Sequence, residues 1–559
     1  MPTRTPLTSP LIPEPAAKAQ QLVDVVLAWR RNPRHRGRWS KQTQQILEQG
    51  GGLLAPALLD LLLLRFAPDG RSGSANPGYG PCLELLDESL TQLRYAVERQ
   101  RPWAIDLVAK VQEDIAARAF TPEVDVQVHH DLIQALHGAK LEIHPAIMER
   151  AAEVATYYGR FSGRGAPPDL ENLLTRLIGE LPGRTAMEMV EPLLAQMEVM
   201  PPDAQVLMIS TLLAAQQPLM NELGSLFLLH PKAEVRIPLA TWCAQPDGLQ
   251  RLGPLGLRRL IGLRNWLPVD ERPALDALIR AARLAGIASS PLEPARPFTA
   301  FASPFDGSGA AALWVFAKEK RHYRIMGVLV KQGLGIREVW GETGYTKRDV
   351  DAQIQDMTRG GSALPVGPAF LSRLVAHFVS VGQELGQAPP PQLLALNELA
   401  GGDYWKPEAL DPAALLAEWE AAEPASFSPA RVQEVLAASQ DWPVRRPFAS
   451  SWFEDDARVD AILRKQIGKS RDGLSRLHRL AQAILTEVVE PKRAVWTERL
   501  VWMALWARAG QGQAPVRWQD LAVLARVLHQ GTPLETVPLM QAIALRSLES
   551  AFNRGQQLP

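Results

Sequence analysis

The sequence predicts a mainly α protein with a small α/β insert and a Trp-rich helical C-terminal domain. Three observations predict it. Apolar residues recur at helical spacing over most of the chain, in short runs divided by Pro and Gly. One segment, 312–331, departs from that spacing and is rich in β-branched and aromatic side chains. Eight of the 15 tryptophans fall after residue 393: Trp405, Trp419, Trp442, Trp452, Trp496, Trp502, Trp506 and Trp518. A chain of 559 residues is too long for one ordinary core, so about two to four domains or an elongated repeat array are expected.

The N-terminal helical region is assigned to 1–150. Its lead-in, MPTRTPLTSPLIPEPAAKAQ, lacks the apolar core of a signal peptide, and its prolines suggest a flexible start. The most apolar run, LLAPALLDLLLL at 53–64, is about half the length of a membrane-spanning helix and carries Pro56 and Asp60. It reads as a buried helix, and no membrane association is expected. Cys82 and Cys243 are the only cysteines, too few and too distant for a disulfide framework. A reducing, cytoplasmic setting fits them best.

Residues 151–285 are assigned to helical hairpins. NLLTRLIGE at 172–180 puts Leu173, Leu174, Leu177 and Ile178 on one stripe. The segment 204–215 is apolar nearly all round and is expected to be an inner helix. Helical patterns follow at 218–229, 233–245, 255–264 and 271–285, broken at Pro201-Pro202, Pro218, Pro231, Pro246 and Gly253-Pro254. Within this region HPKAEVRIPLATWCAQ, 230–245, resembles the start of a HEAT-type repeat. Val235-Arg236 supply the family's Val-Arg pair, and Ala240 and Ala244 its small packing positions. The resemblance covers roughly 170–285. It implies stacked helical pairs with long surfaces used to hold other macromolecules.

The composition shifts to Pro, Ser and Gly at 286–311, which reads as an interdomain linker. A small α/β element is assigned to 312–358: a strand at 312–318, a charged turn KEKRH, and a strand at 323–331. A turn at Gly333–Gly335 and a helix from 347 complete it. Tyr323, Ile325 and Leu329 point one way and Met326, Val328 and Val330 the other, the pattern of an inner strand. Lys318, Lys320, Arg321 and Arg324 read as a solvated turn.

The stretch GIREVWGETGYTKRDVDAQI, 335–354, also resembles a helix-turn-helix. Gly344 would sit at its turn, Val339 and Val350 would pack its helices, and Thr346 with Asp349 would cap the second. Three features oppose that reading. Trp340 stands where the family needs a small residue. The would-be recognition helix 347–357 holds two basic and three acidic residues. The upstream segment has strand character. From 359 to 559 the chain is helical again, and Trp502 and Trp506 share one helix face, a pattern expected of a core.

Candidate chemistry is sparse. Gly468-Lys469-Ser470 end like a phosphate-binding loop, but Leu463 occupies the position of its first glycine and the residues before it look helical. Gly468 therefore reads as a helix stop. His130, His137 and His144 lie seven apart after His129, yet Gly138 and Pro145 interrupt any shared face. Glu454-Asp455-Asp456 precede a helix from about Ala457, where acids favour the helix dipole. No catalytic, cofactor-binding or metal-binding residue is nominated, and no cofactor is expected.

One basic segment stands out. WRRNPRHRGRWSK, 29–41, holds Arg30, Arg31, Arg34, Arg36, Arg38 and Lys41 with no acid, flanked by Trp29 and Trp39. Arginines beside aromatic rings suit phosphate contact and base stacking, and equally an acidic protein or a solvated loop. Overall, 60 basic and 60 acidic residues cancel, so any attraction to nucleic acid would have to be local. The expected function is a non-enzymatic scaffold or adaptor holding a protein partner. The alternatives are nucleic-acid binding through 29–41, with 335–354, and an enzyme without a recognisable motif.

Overall fold

A computed structural model describes residues 15–31, 39–66, 76–161, 174–175, 178–179, 185–291, 294–359, 362–401, 404–466, 473–510 and 512–555. The chain divides into two compact units. The first is Met1–Leu181 with Glu191–Gln205, and the second is Pro182–Val190 with Val206–Pro559.

The first unit contains helices α1 (Pro15–Arg30), α2 (Lys41–Gly50), α3 (Ala55–Leu61), α4 (Tyr79–Glu98), α5 (Pro102–Arg118), α6 (Val126–Gly138) and α7 (Pro145–Phe161). Helix α4 is central and packs against α3, α5 and α6. It buries Cys82, Leu85, Leu86, Leu90 and Leu93 along one stripe, the spacing that makes a helix amphipathic. The apolar run at 53–64 is a core helix as expected, with Leu54, Leu58, Leu59 and Leu62 buried. Among the described residues no single helix is long and apolar enough to cross a membrane.

Helix α8 (Ala186–Met197) carries the chain between the units, and α9 (Pro202–Ala214) follows. The second unit continues with α10 (Pro218–Leu226), α11 (Ala233–Cys243), α12 (Pro246–Arg251), α13 (Pro254–Leu263) and α14 (Arg272–Leu284). Apart from α12, which fills the expected break between Pro246 and Gly253-Pro254, these match the predicted helices and breaks. The expected inner helix departs from its reading in one respect: Leu207 of α9 is 61% exposed. Being apolar all round did not determine which side faces the core. At the HEAT-like segment, Val235 and Ala240 are buried, and Arg236 is only 1% exposed. Its Nε donates to Glu271 Oε2 at 2.7 Å, Nη2 donates to Glu271 Oε1, and Nη1 donates to the carbonyls of His230 and, at 2.7 Å, Pro231. This arginine fastens its own turn to the start of α14.

Next comes an antiparallel sheet of β1 (Phe298–Ala302), β2 (Ala310–Glu319), β3 (His322–Lys331), β4 (Gly335–Tyr345) and β5 (Leu364–Val366), ordered β4-β3-β2-β1-β5. The two predicted strands are present, and β3 is an inner strand. Three expectations are corrected. The linker assigned to 286–311 contains β1, which pairs with β2 and β5 on its two sides. Its five residues FTAFA lie between Pro297 and Pro304, too short a run for periodicity to reveal. The α/β element therefore reaches beyond 312–358 at both ends. The helix-turn-helix at 335–354 is excluded, because Gly335–Tyr345 is the edge strand β4. Its register sets Trp340 opposite Gly327, and a Cβ on Gly327 would lie 2.0 Å from Trp340 Cζ2. The bulky residue that spoils a helix crossing fills the space a glycine leaves in a sheet.

Helix α15 (Lys347–Thr358) has the predicted capping box. The Thr346 N–H donates to Asp349 Oδ2 at 3.1 Å, and the Asp349 N–H donates to Thr346 Oγ1 at 3.3 Å. Val350 of α15 joins Phe301, Phe316 and Ile325 in a small core on one sheet face. Leu313, Val315, Met326, Val328 and Val330 are buried on the other.

The remaining helices are α16 (Pro368–Glu384), α17 (Gln392–Ala400), α18 (Pro412–Ala422), α19 (Pro429–Ser439), α20 (Trp442–Arg445), α21 (Ala457–Gln466), α22 (Gly473–Ile484), α23 (Arg493–Ala509), α24 (Trp518–His529) and α25 (Pro538–Gly555). Trp452, Trp496, Trp502 and Trp506 are fully buried. Trp502 stacks on Phe305 and Phe378 at centroid distances of 5.9 and 5.8 Å, so the tryptophan stripe is core. Residues before the predicted linker and after it share this unit. Arg259 Nε and Nη2 reach Glu398 at 2.7 and 3.0 Å, and Trp266 Nε1 donates to the Trp405 carbonyl at 3.0 Å.

Candidate functional site

The basic segment nominated from the sequence is only partly described. Trp29 and Arg30 end α1, Arg31 follows it, and Arg34, Arg36 and Arg38 lie outside the described residues. Arg30 is ion-paired with Glu84 of α4, so an acid distant in sequence offsets one cation of the patch. Trp39 is half-buried against the core of its unit, and Lys41 is exposed in the first turn of α2. The phosphate-loop-like residues Gly468, Lys469 and Ser470 also lie outside the described residues, and the preceding segment is helical.

The histidines do not converge. His129 is buried on Phe120, with ring centroids 4.8 Å apart, and its Nε2 bonds the Ala119 carbonyl at 2.8 Å. Burial lowers its pKa. His144 Nδ1 accepts the Ala146 N–H at 3.3 Å, in the first turn of α7. His137 faces two glutamates. Among the described residues, no group of His, Cys, Asp and Glu is placed to hold a metal ion.

The second unit contains a cleft that no sequence motif marked. It forms where β1 turns into β2. Asp306 Oδ1 accepts the N–H groups of Ser308 and Ala310 at 2.8 and 2.9 Å, an Asx-type turn that fixes the loop. Gly307 is required there, since a Cβ would lie 1.8 Å from the Ser451 carbonyl oxygen. Helix α23 holds the loop from within. Trp506 Nε1 donates to the Ala302 carbonyl at 2.8 Å, and Arg499 Nη1 donates to the Gly307 carbonyl at 2.8 Å. Trp452 Nε1 donates to the Phe305 carbonyl at 3.0 Å. Arg499 lies over the Trp496 ring at 4.2 Å, and burial lowers its pKa against the pull of Glu454, Asp306 and Glu498.

The cleft has a volume of about 350 Å³. Its lining is mostly apolar, with Pro304, Ala310, Ala312, Leu329, Pro447 and Phe448 beside Ser303, Asp306 and Ser362. The polar side chains are already engaged. Ser303 Oγ accepts the Ala312 N–H at 2.9 Å, Ser362 Oγ donates to the Arg359 carbonyl at 2.9 Å, and Asp306 caps its own turn. Asp306 Oδ1 also accepts the Ser308 hydroxyl at 2.8 Å. What the cleft offers is apolar contact.

Buried charges near this region are likewise held in structural bonds. Glu454 accepts from Trp496 Nε1 at 2.8 Å and from Lys492 Nζ at 2.6 Å, and Lys492 also reaches Asp456 at 3.0 Å. The acidic run ahead of α21 thus does more than face a helix dipole. His377 Nδ1 accepts the Leu410 N–H at 3.0 Å, and its Nε2 lies 3.2 Å from Glu498. The Nδ1 lone pair is thus taken by the backbone, while Nε2 lies within ion-pair reach of Glu498 without forming a hydrogen bond.

Comparison with known families adds two matches. Residues 413–552 match the model described as the Y4lR C-terminal helical domain, and residues 201–286 match the Y4lR second domain. The second match covers much of the HEAT-like region, so that segment is similar to the Y4lR second domain. No curated protein matches the chain. No solved structure matches it either.

Proposed function

We propose that the protein is a cytoplasmic, non-enzymatic scaffold or adaptor that holds a protein partner on the surfaces of its helical hairpins. The observation that carries this reading is the exposure of large apolar side chains along 207–284. Leu207 is 61%, Ile237 41%, Leu255 39%, Val269 70% and Leu284 83% exposed. Apolar area left in water costs roughly 25 cal/mol per Å², which a partner covering it would recover. The cleft beside β2 supports the same reading, since its polar groups are committed to the fold and its lining favours apolar contact.

The test is purification from native cells at low and high salt, with the wild type and a variant carrying Leu207→Ser, Val269→Ser and Leu284→Ser. A stoichiometric protein that survives high salt with the wild type and is lost with the variant is expected. Nucleic acid that leaves as salt rises would replace this reading with one based on 29–41. A partner retained equally by both proteins would remove the helical surfaces from the account.

A further inference from the structure

We propose that His137 is a proton-operated latch: protonated, it fastens the segment Glu191–Glu198 onto α6, and neutral, it releases its hold on one of the two glutamates. His137 ends α6 with its side chain 13% exposed. Nδ1 lies 2.6 Å from Glu198 Oε2, and Nε2 lies 3.1 Å from Glu191 Oε1. An imidazolium has two N–H donors, one for each carboxylate, while neutral imidazole has one donor and one lone pair. Loss of the proton therefore turns one of these contacts into a lone pair facing a carboxylate. A charge-assisted pair becomes a repulsive one.

The surroundings keep Glu191 charged while the histidine titrates. Lys140 Nζ donates to Glu191 Oε1 at 2.7 Å. Burial favours the neutral carboxyl of Glu191, but His137 and Lys140 outweigh it and hold the pKa down to about 2. For His137, burial favours the neutral ring, yet the bonds to Glu191 and Glu198 outweigh it against Lys140 and raise the pKa. Helix α4 contributes Asp87, whose Oδ1 would lie 3.0 Å from a Cβ on Gly138. Asp131, also on α6, accepts from Tyr79 Oη and Gln127 Nε2, both at 2.8 Å.

The held element is locally weakened, although Leu193, Ala195 and Met197 on it are fully buried. Helix α8 has Pro192 in its interior, which removes a helical hydrogen bond at the latched position. Gln134 Nε2 of α6 also approaches the Pro192 carbonyl at 3.5 Å. His137, Glu191 and Glu198 all belong to the first compact unit, so the latch acts within it.

The sign follows from linkage. A raised histidine pKa stabilises the latched state below the unfolded value near 6.5, and that stabilisation is lost as pH rises through the folded value. The lowered Glu191 contributes above the unfolded carboxylate range and is lost as pH falls toward about 2. The latch is therefore closed in mildly acidic solution and open in alkaline solution.

Amide hydrogen exchange on the full chain tests this, with protection factors corrected for the intrinsic pH dependence of exchange. Protection of Leu193–Met197 should fall on the order of tenfold between pH 5.5 and 8.5 in the wild type, as expected for losing a charge-assisted bond. It should stay flat in His137→Gln, at the lower level. Equal protection in both proteins at pH 5.5, or a flat wild-type profile, overturns the proposal. Should His137→Gln fail to fold, NMR titration of the wild-type His137 ring decides. A midpoint above 6.5 is expected, and one at or below it overturns the latch.

Discussion

Replacing Glu271 with Gln should destabilise the second unit far more than a surface ion-pair change. Arg236 and Glu271 have side chains 1% and 5% exposed, and the pair is bidentate. Glu271→Gln keeps the shape of the side chain but leaves a buried guanidinium without its counter-charge. Breaking a buried pair in this way costs about 3–5 kcal/mol, against 0–1 kcal/mol for an exposed pair. Urea denaturation followed by tryptophan fluorescence reads it, because Trp266 is fully buried five residues before Glu271. The two units need not unfold together, so the transition that moves with the variant is the one compared. The double variant Arg236→Met with Glu271→Leu should recover part of the loss by removing both charges. Recovery should be incomplete, because the carbonyls of His230 and Pro231 lose their donor. A cost below about 1 kcal/mol for Glu271→Gln, or no recovery in the double variant, would refute the reasoning.

Three further outcomes follow from particular contacts. Burial pushes the Cys82 and Cys243 thiols up to about 12, so neither should react with an aromatic disulfide reagent at pH 8 until the protein is unfolded. Rapid native labelling of either would contradict that. Gly327→Val should destabilise the second unit by about 1–3 kcal/mol through overpacking against Trp340, read as a lowered melting temperature, and Trp340→Ala in the same chain should relieve it. Trp506→Phe should cost about 1–3 kcal/mol by leaving the buried Ala302 carbonyl without its donor, and an unchanged denaturation midpoint would show that bond to be dispensable.

The sequence by itself determined the elements whose causes are local. Helical periodicity located the helices between 202 and 284, and proline marked where they break. Thr346 and Asp349 spelled the capping box of α15, and the alternation at 323–331 identified an inner strand. Burial of the C-terminal tryptophans was legible because rings of that size at helical spacing need a core.

What only the tertiary structure decided are relations between residues far apart in the chain. β1 was hidden because five residues between prolines form a strand only when β2 and β5 flank them. Sequence alone shows no strand between the turn at Gly333–Gly335 and the helix from 347, because Trp340 of β4 makes sense only opposite Gly327. The cleft beside β2 draws on residues from 303 to 448. His137 meets glutamates 54 and 61 positions away. Local propensity is a free-energy preference of a few tenths of a kcal/mol per residue, readable in a short window. Pairing, burial of charge and the closing of a cleft depend on which distant segment arrives alongside, and no window contains both partners.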